Sequence, residues 1–199
     1  MNALLGLPLG IYLSFGSTFL AILAGFYVYR SLNKESKIFL LYQVISILVS
    51  FGMMYLALIR RTNNLWLMHL FTPVQFGFLM WVFASWQERP YVMRLFQSLI
   101  PAFVLVWAIA AIFFEHSNEF NTFSRPTESI LLIIASGYTL FQVNKEKVES
   151  LFRQPSFWIA SGTLIYFTGM VILFTVTNFL LRSSEETLRT VWILNWTMN

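Results

Sequence analysis

"NNLWLMHLFTPVQFGFLMWVF", residues 63–83, decides how the rest of the chain is read. It is long and apolar enough to cross the ~30 Å hydrocarbon layer of a bilayer, which takes about 20 helical residues. Yet it carries His69, Thr72, Pro73 and Gln75. Backbone groups find no water in lipid, so such a run has to be a helix. Helical residues advance about 100° each, which puts Asn64, His69, Thr72 and Gln75 within about 140° of arc. That face must look into a bundle or a wet cavity rather than into lipid. Pro73 has no N–H and frees the carbonyl near His69 for another donor. Two readings stay open: a kinked packing helix with a hydrogen-bonded histidine, or a ligand-binding or proton-sensing face.

Working outward, the whole chain shares this character. Of its 199 residues 57% are apolar and 11% charged, with mean hydropathy +0.66. A soluble domain of this size carries about a quarter charged residues. The lipid bilayer is therefore the expected solvent. There is no cysteine, which rules out disulfides and thiolate chemistry. All nine acids are glutamate. The net charge of +4 is spread over short loops and forms no concentrated basic face, so no nucleic-acid partner is expected.

Six apolar runs are candidate spans: 8–29, 38–59, 64–86, 95–114, 126–143 and 155–181. The first charge, Arg30, follows the first run, so that run is expected to be a permanent span rather than a cleaved signal. The tail "TLRTVWILNWTMN", 187–199, starts like a seventh span but is too short to cross, as a peripheral helix or a truncated one. The expectation is an all-α, polytopic transmembrane helical bundle: six full spans plus a short or truncated seventh helix, forming one domain over 1–199. The loops with Arg30, Lys34 and Lys37, then Arg89 and Arg94, then Lys145, Lys147 and Arg153 outweigh the alternate set with Arg60, Arg61, Arg125, Arg182 and Arg189. The Lys/Arg bias then places the N-terminus outside.

Small residues align in the first run (Gly10, Ser14, Ser17, Ala21, Ala24), the second (Gln43, Ser46, Ser50, Ala57) and the sixth (Ser161, Gly162, Thr168, Gly169, Thr175). Such stripes let membrane helices approach closely. In the fifth run, Arg125, Glu128, Ser129, Ser136, Thr139 and Gln142 fall within about 140°. Arg125 and Glu128 are three apart, the spacing of helical ion pairs. Pro126 and Glu128 suit a helix N-terminus, so an interfacial ion pair and a binding site are both admissible. Up-and-down topology gathers Asn64, His69, Glu115, His116, Glu119, Arg125, Glu128 and Asn178 on one side, in the outer third of the bundle. No metal set, phosphate loop or nucleophile elbow appears. Neither a cofactor nor an enzymatic activity is expected.

At "NNLWLMHLFTPVQFGFL", "FNTFSRPTESILLI" and "PSFWIASGTLIYFTGMVILF" the chain resembles a group of uncharacterised seven-span integral inner-membrane proteins of the Bacteroidota type. The resemblance implies a seven-helix bundle in the bacterial inner membrane, N-terminus outside and C-terminus inside. An acid is common in that group near the position of Gln75; the amide here puts a proton relay at that position in doubt.

The function expected is a sensory or signalling membrane module with a ligand pocket on the outer side. Its candidate ligand-binding residues are Asn64, His69, Thr72, Gln75, Arg125, Glu128, Ser129 and Asn178. The ligand would be small and polar or anionic, and output would pass to a membrane or cytoplasmic protein partner. The alternatives are a structural or assembly subunit of a larger membrane complex and, after it, a small-solute transporter.

Overall fold

A computed structural model describes residues 9–115, 121, 123–143 and 151–180, with side chains described over 13–172 of these. Every regular element among the described residues is helical: α1 (Leu9–Tyr27), α2 (Lys34–Tyr55), α3 (Leu65–Ser85), α4 (Pro90–Phe113), α5 (Ser124–Val143) and α6 (Pro155–Leu180). Residues 187–199, and with them the seventh helix, lie outside the described residues.

The boundaries follow local chemistry. The Asn33 side chain accepts from Ser36 N at 2.9 Å and caps α2. Helix α2 therefore starts before the apolar run at 38 and takes Lys34 and Lys37 into its first turns. At its other end, a π turn, Leu56–Arg60, runs into Arg61, held left-handed at φ 50°. Asn63 Oδ1 accepts Leu65 N at 2.8 Å and starts α3. Pro90, at the first position of α4, needs no N–H partner there. That helix thus begins five residues ahead of the expected 95 and includes Arg94.

Four stretches are long and apolar enough to cross a membrane: Lys34–Arg60, Leu65–Ser85, Pro90–Phe113 and Pro155–Ile172. Helix α5 is excluded by its own polar stripe. It is built inside out. Arg125, Glu128, Ser129, Ser136 and Thr139 are buried, while Ile130, Ile134 and Phe141 are exposed. Leu20, Leu48, Leu105, Ile112 and Ile165 likewise face outward on their helices, an exterior suited to lipid.

Helix α3 is the hub, packing on α2, α4 and α5, and α5 in turn packs most extensively on α6. Phe76, Met80, Phe83, Phe103, Leu132 and Phe167 fill the centre, with the Phe76 and Phe103 rings 4.2 Å apart. Helix α1 leans on α2, and there the expected packing face does not hold. Ser17, Ala21 and Ala24 are exposed, while Ile22 is buried and Phe15 meets Phe51 at 5.0 Å. Bulkier side chains fill the α1–α2 seam better than the small ones, except at Gly25, where a Cβ would come within 2.6 Å of Leu40.

Candidate functional site

Pro73 lies inside α3, and the residue four before it is His69. The carbonyl that Pro73 leaves unbonded is taken by an indole: Trp107 Nε1 of α4 donates to His69 O at 3.0 Å. The proline thus exchanges a bond within α3 for one that ties α3 to α4.

The polar face of α3 meets the polar face of α5 in two clusters. In the first, Glu115, just past α4, accepts from the backbone of Phe123 at 2.6 Å and of Ser124 at 2.8 Å, and also from the Ser124 hydroxyl. These are orphan donors of the first turn of α5, so a carboxylate eight and nine residues upstream caps this helix. His69 Nδ1 stands 4.0 Å from Glu115 Oε2. Asn121 donates to Thr72 Oγ1 at 3.1 Å, and Thr72 donates to Met68 O at 3.0 Å. Ser129 Oγ turns back to Arg125 O at 2.8 Å.

The second cluster is a relay of four. Arg125 Nη1 donates to Glu128 Oε2 at 2.8 Å and to Gln75 Oε1 at 2.6 Å. Gln75 Nε2 donates to the Tyr42 hydroxyl at 3.0 Å. Tyr42 is held by ring contacts to Phe39 at 5.8 Å and Phe71 at 6.4 Å. Arg125 Nε and Glu128 Oε1 are buried and have no hydrogen-bond partner among the described residues.

A cavity of about 520 Å³ adjoins this relay, between α1, α2, α3 and α6. Tyr42, Gln75 and Arg125, all buried, line it together with Ser46, Ser50 and Thr163. Of the expected site residues, Asn64, Gln75 and Arg125 line it; Asn64 also donates to Met53 O at 3.1 Å. His69, Thr72, Glu128 and Ser129 are buried behind the wall, in the contacts between α3, α4 and α5. The side chain of Asn178, and residues His116 and Glu119, lie outside the description.

The cluster also sits deeper than expected. Gln75 is the middle residue of α3, about 15 Å along the helix at 1.5 Å per residue. Arg125 reaches it from the second position of α5. Glu115, Asn121 and Ser124 are all buried as well, so the polar groups extend from the edge of α3 to its centre. Sequence reasoning missed Tyr42 and Asn121 altogether. Tyr42 is adjacent to Gln43 of the α2 stripe, and that adjacency was the available signal. Compared with family models, curated proteins and solved structures, the chain matches none. The site's chemistry therefore rests on its own geometry.

Proposed function

We propose that the chain is a multi-pass protein of the bacterial inner membrane that acts as a sensory module. It binds a small ligand between its helices and passes the signal to a protein partner. The N-terminus is outside, and residues 187–199 contribute to a seventh helix, as the loop charges and the family resemblance suggest.

One observation carries this reading. The cavity is lined by a buried arginine, and one of its donors, Nε, has no hydrogen-bond partner among the described residues. Buried polar atoms are normally hydrogen-bonded, and unpartnered ones mark strain, function or a ligand. Because Glu128 already neutralises Arg125, the favoured ligand brings hydrogen-bond acceptors rather than a free negative charge. Binding would pull Arg125 toward the cavity, and α5, pinned to α6, would carry that shift away from the site.

The test is a thermal-shift screen of small polar compounds on the purified chain in mild detergent. Stabilisation is expected from compounds with compact acceptor groups. It should vanish in Arg125→Met/Glu128→Leu, which removes the ion pair whole instead of stranding one charge. Failure of every compound to stabilise, together with a stoichiometric partner in native pull-downs, would favour a structural subunit. Because the chain lacks cysteine, single cysteines at Ser31 and Asn63 report orientation: only the second should label from outside.

A further inference from the structure

We infer that the ligand is a lipid-soluble quinone in its oxidised form, entering sideways from the bilayer between α1 and α6. This deepens the sensory reading above and rests on it. Three features of the cavity lead there.

The first is the set of Tyr42, Gln75 and Arg125, which is rich in donors. Arg125 lines the cavity, and its enclosed Nε–H, which has no acceptor among the described residues, becomes available if a ligand draws the side chain forward. Tyr42 accepts from Gln75 Nε2, which leaves its own O–H to donate. Gln75 keeps a second amide hydrogen. The matching head group presents oxygen acceptors. A quinone offers carbonyl oxygens and no donor, whereas a quinol brings two O–H groups that each need an acceptor.

The second is charge. Arg125 is the one charged side chain among the described residues lining the cavity, and Glu128 balances it at 2.8 Å. An uncharged head adds no net charge to a buried site, where an unpaired charge is costly. This disfavours phosphate and carboxylate anions.

The third is shape and access. Phe39, Tyr42, Phe71, Trp158, Tyr166 and Phe167 present aromatic walls suited to a flat ring. The volume of about 520 Å³ fits a ring with a short length of tail, inside the ~300–1,000 Å³ span of small-molecule pockets. Helices α1 and α6 both line the cavity, yet the extensive contact of α1 is with α2. Trp158 and Gly162 are at once lining residues and exposed on α6. The gap between α1 and α6 is flanked by exposed Leu13, Leu20 and Ile165, an apolar approach.

The test uses the full chain in nanodiscs with decyl-quinone as the probe, read by tryptophan quenching and thermal shift. Saturable binding is expected, with the chemically reduced quinol at least about tenfold weaker, the size of one lost hydrogen bond. Tyr42→Phe should weaken quinone binding about tenfold for the same reason. Gly162→Leu is the blocking variant. A Cβ there meets nothing within 4 Å, so the larger side chain should fill the cavity and abolish binding without lowering the unliganded melting temperature.

Equal binding of dodecanol or dodecanoate would overturn the quinone assignment while leaving the cavity as a ligand site. Quenching that survives Gly162→Leu would place the quinone outside this cavity and overturn the proposal. Stabilisation by a hydrophilic compound alone would overturn lateral entry but keep the sensory reading. Ready disulfide formation between Ser46→Cys and a cysteine placed within 187–199 would overturn both, since the chain would then fill its own cavity.

Discussion

The two buried polar clusters between α3 and α5 have similar ingredients and opposite economies. Around Glu115, both carboxylate oxygens are used, by two backbone amides and a hydroxyl. Around Glu128, one oxygen bonds Arg125 and the other has no partner among the described residues, as is true of Arg125 Nε. The first cluster fastens a loop and a helix start. The second stands beside a cavity with bonding capacity unused. In the first cluster, Asn121 Oδ1 is the one buried atom without a partner among the described residues. A carboxylate saturated by backbone donors is a structural device; an ion pair with spare atoms beside a cavity is poised to respond.

Single substitutions can break this contrast. Arg125→Ala should have the largest effect, lowering stability by about 3–5 kcal/mol because Glu128 is left buried and unpaired. Much of that loss should be recovered in Arg125→Met/Glu128→Leu, checked by urea or thermal unfolding in detergent. If the double variant is no better than the single one, the pair is fastened as firmly as Glu115 and the contrast fails. Glu115→Ala should cost about 3 kcal/mol: it strands three donors, and water entering the space left by the carboxylate recovers part of the ~1.5–3 kcal/mol that each ionic hydrogen bond is worth. Unlike the Arg125 change, it has no single partner side chain whose removal should restore the loss, because two of the donors are backbone amides.

Smaller effects sharpen the picture of the scaffold. Trp107→Phe should lose about 1 kcal/mol by removing the donor to the His69 carbonyl. In a Pro73→Ala background, where the helix can again satisfy that carbonyl, the loss should shrink toward zero, which a double-mutant cycle measures. The smallest contrast is between two glycines. Gly25→Ala should destabilise by about 1 kcal/mol through crowding on Leu40. Gly162→Ala, with open space around it, should be neutral or gain up to about 1 kcal/mol of helix propensity.

Helix faces were legible in the sequence, and helix depth was not. Periodicity placed Arg125, Glu128, Ser129, Ser136, Thr139 and Gln142 on one stripe; the first five are buried and Gln142, near the helix end, is half-buried. The freed carbonyl near His69 followed from Pro73 alone, because the proline rule is local; its partner Trp107, 38 residues away, could not follow from it. Spacing along one helix says nothing of how far a neighbour slides past it, so the meeting of Arg125 with the middle of α3 was out of reach. The cap by Glu115 depends on a loop path. Tyr42 hides for another reason: its ring suits lipid and its hydroxyl suits a site, and only packing on Phe39 and Phe71 decides between them. On α1, the alignment of small residues suggested a seam that larger side chains supply instead.

The inverted pattern of α5 bears on how the protein is made. A segment with arginine and glutamate in its first turns partitions poorly from the translocon into lipid by itself, since each such charge costs a few kcal/mol at mid-bilayer. Its extensive contact with α6 points to the two leaving the translocon together as a hairpin. The earlier helix α3 would already be waiting to receive the guanidinium. Biogenesis would then hinge on order of synthesis: a circularly permuted gene that delivered α5 ahead of α3 should yield degraded protein rather than a misoriented one.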